Sequence, residues 1–196
     1  DAHNGGTIIK LDSVTTGRYK LRYDGAVNVK WFGAYSNNSN VTTTTTAIQN
    51  TINFVGISGG SVFIPVGTYL VNTIDISVSS VTIFGEASSN IFDGGTMIQL
   101  NTGQDTLLSI TGNGVVDHRT NLVLSNITLV GNITSKFGTG ILMSTVANFE
   151  VKNISIRGFT TGLYLLGSLI GDVNTVHIRR CTTGLKLQAD TVSNIT

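Results

Sequence analysis

The chain has 196 residues, enough for one domain with a real core. Charged residues make up only 12%, with a net charge of +1 and no long run of either sign. This argues against a nucleic-acid or membrane-surface partner. The single cysteine, Cys181, permits no internal disulfide, and no run of about 18 apolar residues is present to span a membrane.

With 23 glycines, one proline and a mean hydropathy of +0.23, the surface must be covered mainly by Asn, Thr and Ser. No charged segment followed by an apolar one opens the sequence, whose first residue is Asp1 and not Met. A processed chain, or a piece of a longer one, is therefore expected.

Residues 1–30 read as an N-terminal β segment, a neck, with "GTIIKL" (6–11) and "RYKLRY" (18–23) as strands. The second alternates, placing Arg18, Lys20 and Arg22 on one face and Tyr19, Leu21 and Tyr23 on the other. A basic stripe beside an aromatic one suits an acidic glycan; an amphipathic strand with one solvated face is the plainer reading. Residues 31–58 read as a loop and a helix, with Ile48, Ile52 and Val55 as its apolar stripe. Five consecutive threonines are poor helix material because β-branching restricts χ1, so the spacing predicts a start near Thr45.

From residue 59 onward the chain becomes short β runs separated by Gly, Asn, Thr and Ser, which predicts an all-β architecture. "FTTGLYL" (159–165) is echoed by "CTTGLKL" (181–187), so Gly162 maps onto Gly184 at an offset of 22. A period in this range marks a solenoid whose turns bury their apolar faces by stacking on one another. Leu163, Leu165, Leu185 and Leu187 are expected to point inward, and Cys181, opposite Phe159, to be a small buried apolar residue. "NITLVG" (126–131) maps onto "NISIRG" (153–158) at 27, which puts five extra residues in the loop "NITSKF" (132–137). Asn126, Asn153 and Asn194 recur at one turn, where stacked amides can bond along the axis. A parallel edge ending at Thr196 predicts further coils beyond it. The helix can supply the cap at the other end.

Three segments, "VNVKWFGA" (27–34), "TAIQNTI" (46–52) and "GGSVFIPVGTYLV" (59–71), resemble in order and spacing the pectate-lyase-like right-handed parallel β-helix superfamily, in particular phage tailspikes and related polysaccharide depolymerases. The resemblance implies an all-β, right-handed parallel β-helix over residues 59–196 with an N-terminal capping helix. It also implies an extracellular or virion-tail location, a homotrimer, other virion tail proteins as partners on the N-terminal side, and a bacterial surface polysaccharide as ligand. It implies neither a cofactor nor insertion into a membrane. One departure is that members commonly carry acidic residues just before the Ala-Ile-Gln of the helix, where this chain has Thr42 to Thr46, so no calcium role for such acids carries over.

The repeat register fixes the outward positions. Glu150 over Asp172 is a stacked carboxylate pair, suited to a retaining glycosidase as acid and nucleophile; a surface pair neutralised by Lys152 is the alternative. His177 with Arg157 and Arg179 suits proton abstraction beside a carboxylate with cationic stabilisation of the enolate, or is a solvated column. Tyr164 and Lys186 occupy a third outward column, where Tyr164 offers a face to a sugar ring. Asp190 lies near the carboxylate column in the next coil. The triplet Asp117, His118, Arg119 sits in a turn, where adjacent side chains rarely converge. No zinc spacing, P-loop or nucleophile elbow occurs, and the six Asn-x-Ser/Thr sites follow from composition. The expected activity is binding, and hydrolytic or eliminative cleavage, of a polysaccharide; a non-catalytic fibre spacer and a secreted pectinase-type enzyme are the alternatives.

Overall fold

The computed structural model describes residues 4–10, 15–88, 94–112 and 121–189. Short β runs cannot satisfy their backbone groups internally, so each must pair with a strand elsewhere in the chain. At the N-terminus β1 (Ile8–Ile9) pairs antiparallel with β2 (Tyr19–Lys20). All six residues from Arg18 to Tyr23 are exposed, so the alternation there buries neither face. Two residues of that run pair with β1, the Leu21 N–H donates to the Thr7 carbonyl at 2.8 Å, and on the aromatic side Trp31 meets the Tyr23 ring with centroids 5.4 Å apart.

Strand β3 (Val27–Asn28) leads into a single 3-10 turn (Val29–Phe32), opened by Asn28 Oδ1 accepting from the Lys30 N–H at 2.9 Å and closed by Gly33 at φ 94°. Helix α1 spans Val41–Gly56 and takes in the whole threonine run, four residues earlier than the expected start. The β-branching cost is offset locally. Thr45 and Thr51 donate their hydroxyls to the carbonyls of Val41 and Ala47, each at 2.7 Å, and Thr44 accepts from the Tyr35 N–H. Thr44 and Thr51 are fully buried, and Asn40, not a threonine, stands at the N-cap, its side chain donating to Ser39 Oγ at 3.2 Å and making no capping bond to the helix. The stripe Ile48, Ile52, Val55 is buried where α1 packs on the first strands of the solenoid.

Those strands are β4 (Gly60–Ile64), β5 (Gly67–Val71) and β6 (Ile74–Ile76), followed by β7 (Val81–Gly85), β8 (Thr96–Leu100) and β9 (Thr106–Thr111). Three long strands then alternate with three short ones: β10 (Leu122–Val130), β11 (Thr139–Ser144), β12 (Ala147–Arg157), β13 (Thr161–Leu166), β14 (Leu169–Arg179) and β15 (Thr183–Gln188). Each long strand bends in its middle. The first half of β10 pairs with β7 and the second half with β8, so one long strand does the work of two shorter ones in the coil before. Three faces result: β4, β7 and the first limbs; β5, β8 and the second limbs; and β6, β9, β11, β13, β15. From β4 onward every pairing is parallel.

Inside, the register stacks like on like. Val62, Ile83, Leu124 and Val151 form one buried column; Tyr69, Ile98, Leu129 and Ile156 another; and Ile76, Ile110 and Met143 a third. Each such side chain contributes about 1.5–3 kcal/mol by leaving water. On the last described rung Leu185 and Leu187 hold the same register but are exposed, and Cys181 is half-buried. Val151 pairs with Val173 and Leu163 with Leu185 at an offset of 22 (173 − 151, 185 − 163), whereas Ile127 meets Ile154 at 27 and Ile83 meets Leu124 at 41. Of the echoed pair Gly162 has a steric cause, whereas a Cβ on Gly184, on the last described rung, would come no closer than 3.8 Å to Ile178. A Cβ on Gly162 would lie 2.6 Å from Ile178 Cγ2 of the following coil, and one on Gly140 would lie 2.8 Å from Ile156 Cγ2.

Corners are made by residues in the left-handed region, where Asn is favoured among non-glycines. Asn126 and Asn153, at φ 59° and 51°, turn the long strands, and Asn153 Nδ2 donates to Asn126 Oδ1 at 3.2 Å. Asn194 lies outside the described residues. A second ladder joins Asn121 and Asn148, whose Nδ2 donates to Asn121 Oδ1 at 2.6 Å. Above Asn148 the corner is taken by Ile170, at φ 50° and 80% exposed. A β-branched residue there carries strain of about 1–2 kcal/mol. Ile170→Asn should stabilise the chain by about 1 kcal/mol in urea unfolding and Asn148→Ala should destabilise it by about 1–3 kcal/mol; the opposite signs would overturn the account of the corners.

Tyr69 fills the innermost position of the second face, its Oη donating to the Pro65 carbonyl at 3.1 Å. Burial pushes its pKa up from 10.0 to about 12, against a hydrogen bond from Ser36 that lowers it. The folded state thus holds the phenolic proton more tightly than the unfolded chain. Its contribution is complete below pH 10 and is lost as pH rises towards 12, on the order of 2–3 kcal/mol in all. In denaturant melts across that range Tyr69→Phe should flatten the alkaline fall in stability by about this amount.

Candidate functional site

The bends that divide the solenoid into three faces also divide the candidate residues. On the first face Glu150 pairs in register with Asp172 and Lys152 with Asn174. Lys152 Nζ donates to Glu150 Oε2 at 2.8 Å, so one carboxylate carries a cation and the other extends to solvent on the rung above. Adjacent rungs lie about 4.8 Å apart. Following the Lys152 column downward gives Ser125, then Phe84 and Phe63, half-buried on the outer side with their ring centroids 5.3 Å apart and their planes tilted by 33°. These two aromatics were legible in the sequence. Val62 and Ile64 point inward, as do Val81 and Ile83, which leaves Phe63 and Phe84 facing out.

On the second face Thr128, Ser155 and His177 form one column, and Val130, Arg157 and Arg179 the next. His177 and Arg179 are exposed, but Thr128, Ser155 and Arg157 are buried, with Arg157 at 8% exposure. The column is therefore solvated only at its last rung. Arg157 Nη2 lies 3.8 Å from Met97 Sδ, and Met97 pairs with Thr128, so the long side chain lies back along the face over the column beside it. On the third face Lys186 Nζ sits 4.1 Å over the Tyr164 ring, and the Tyr164 hydroxyl donates to Gln188 Oε1 at 2.6 Å. One ring face and the hydroxyl are thus already occupied. Asp117, His118, Arg119 and Asp190 lie outside the described residues.

The pattern missed a cavity of about 640 Å³ at the end of the second face. Its walls are the turn after β8, the loop 131–137 and the Arg157 side chain. The loop is held by its own bonds. Asn132 Oδ1 accepts from the Thr134 and Ser135 N–H groups, the Lys136 N–H returns to the Asn132 carbonyl, and Thr160 donates its hydroxyl to the Lys136 carbonyl. The available signal was the five-residue excess in that loop, which marks where the outline of one coil departs from the next.

Residues 26–93 match the family model described as rhamnogalacturonase A/epimerase, pectate lyase-like. The fold is a parallel β-helix. The enzymatically active domain of tailspike protein 2 from bacteriophage CBA120 superposes with a TM-score of 0.66 over 95% of this chain and 29% of its own, at 19% identity. A tailspike of the Acinetobacter baumannii bacteriophage Fri1, a capsular polysaccharide depolymerase, gives 0.60 over 99% of this chain and 43% of its own, at 13% identity. A protein of Geobacillus virus E2 gives 0.59 over 74% and 31%, at 22% identity. The chain thus spans less than half the length of each of these three. No curated protein matches it in sequence. No helix among the described residues is long and apolar enough to cross a membrane.

Proposed function

We propose that this β-helix belongs to a tailspike-like virion protein that binds a bacterial surface polysaccharide along its first face and cleaves it there. The observation that carries this reading is that the face presents, on two neighbouring outward columns, the Phe63–Phe84 platform at one end and the Glu150–Asp172 pair at the other. A sugar ring offers an apolar C–H surface to an aromatic face, and a chain lying along the rungs would carry its glycosidic oxygens past the carboxylates. The likeness to phage tailspikes supports the same substrate class.

Retaining hydrolysis needs two carboxyl groups about 5–5.5 Å apart, close to one rung. Glu150, oriented by Lys152, is assigned as the nucleophile that attacks the anomeric carbon. Asp172 is assigned as the acid that protonates the leaving oxygen, and afterwards as the base that takes a proton from the water releasing the sugar. Residues 1–30 serve as the neck towards other virion tail proteins, 31–58 as loop and capping helix, and 59–196 as the β-helix of a homotrimer on the virion tail. The ion pair at Glu150 also suits a binding face without cleavage, and the same experiment separates the two.

Incubating the full protein with purified capsule or O-chain should release new reducing ends without the absorbance of unsaturated uronates. Glu150→Gln and Asp172→Asn should each lower that release roughly a hundred- to ten-thousandfold while the polysaccharide is still retained. Unchanged turnover removes these residues from the chemistry. Binding without any reducing ends leaves the non-catalytic reading, and unsaturated products point to elimination.

A further inference from the structure

Away from the carboxylate face, two of the exposed large apolar side chains stand together on one loop beside a cavity. Ile133 is 40% and Phe137 50% exposed, both on the loop 131–137 and both lining the 640 Å³ cavity. A monomer has no folding reason to add five residues to a turn and fix two apolar side chains at its crest. The bonds through Asn132, Lys136 and Thr160 fix the loop before any ligand arrives, which lowers the ordering cost of binding. The volume lies within the range of small-molecule sites, about 300–1,000 Å³.

The lining combines apolar walls, with Leu100 and Val130 below Ile133 and Phe137, and carboxamides, among them Gln99 and Gln104. The Gln99 backbone lies in the β8 ladder, and its side-chain carboxamide makes no hydrogen bond to another described residue. The charged group of the lining, Arg157, is already engaged by its neighbours. Such a wall suits a neutral sugar that itself carries an apolar group and an amide.

We propose that this cavity is a binding site for a 2-acetamido sugar of the polysaccharide, separate from the carboxylate face. The ring lies on Phe137, the acetyl methyl packs against Val130 and Ile133, and the acetamido group exchanges hydrogen bonds with Gln99. The assignment rests on the polysaccharide reading above and deepens it by naming the sugar class.

The test compares chitotetraose with cellotetraose, which share linkage and length and differ in the acetamido group, by calorimetry and saturation-transfer NMR on the full protein. Chitotetraose should bind at least about tenfold more tightly, with transfer strongest at the acetyl methyl. Phe137→Ala should abolish that preference without changing the melting temperature, and Phe137→Tyr should keep it. Equal binding of the two sugars, binding of neither, or a preference that survives Phe137→Ala overturns the proposal. Retention of capsular polysaccharide is measured alongside. If it persists when the acetamido preference fails, only the cavity assignment falls; if the parent protein retains no surface polysaccharide, the wider reading falls.

Discussion

Parallel pairing between successive coils is the constraint on which the rest of this molecule depends. A strand of five residues has no internal way to satisfy its N–H and C=O groups, so β7 must lie on β4 and β10 on β7, in register and about 4.8 Å apart. Once the register is fixed, inward and outward positions repeat in every coil and the core becomes a set of columns. Val62, Ile83, Leu124 and Val151 are four versions of one site. Extra residues can enter only where pairing is interrupted, at the corners. The corners in turn demand left-handed residues, which is why asparagine recurs at 121, 126, 148 and 153.

The same constraint sets what could be read from the sequence. Between the last two coils nothing is inserted, so the offset of 22 and the inward leucines stand out. Earlier coils grow at different corners, and with Ile83 and Leu124 separated by 41 residues no fixed period survives. Local propensity misplaced the start of α1 because it counts the cost of β-branching. It cannot count the carbonyls of Val41 and Ala47 that accept the threonine hydroxyls, nor the burial of Thr44 and Thr51. At the N-terminus perfect alternation from Arg18 to Tyr23 promised a buried side, but alternation records only that side chains take turns, and β1 pairs with two of the six residues.

Outward positions were legible as directions and not as environments. Register places Arg157 beneath Arg179 on an outer column, yet a side chain of that length can lie along the surface, and here it runs back to Met97 and is buried, as Thr128 and Ser155 in the neighbouring column are. Tyr164 faces out as expected, but Lys186 on the next rung covers its ring. In both cases the neighbour that decides the outcome is a long, flexible residue one or two rungs away, for which a two-residue period carries no information.

This division of labour bears on how such a scaffold holds chemistry. The separation of Glu150 from Asp172 is set by backbone pairing between β12 and β14 and not by the fit of any one side chain. Core substitutions that loosen packing cost stability before they alter that spacing. Loop residues such as Phe137 stand under the opposite regime: they are outside the ladder, fixed by a few local bonds, and their replacement leaves the columns intact. A solenoid can therefore keep the spacing of an outward pair while its corner loops vary in length and in the side chains they present. Glu150, His177 and Tyr164 stand on three different faces. The corner between the first and second faces and that between the third and first carry the ladders Asn126–Asn153 and Asn121–Asn148, whereas the corner between the second and third is turned by Gly158, so side-chain amides tie successive coils together at two of the three corners.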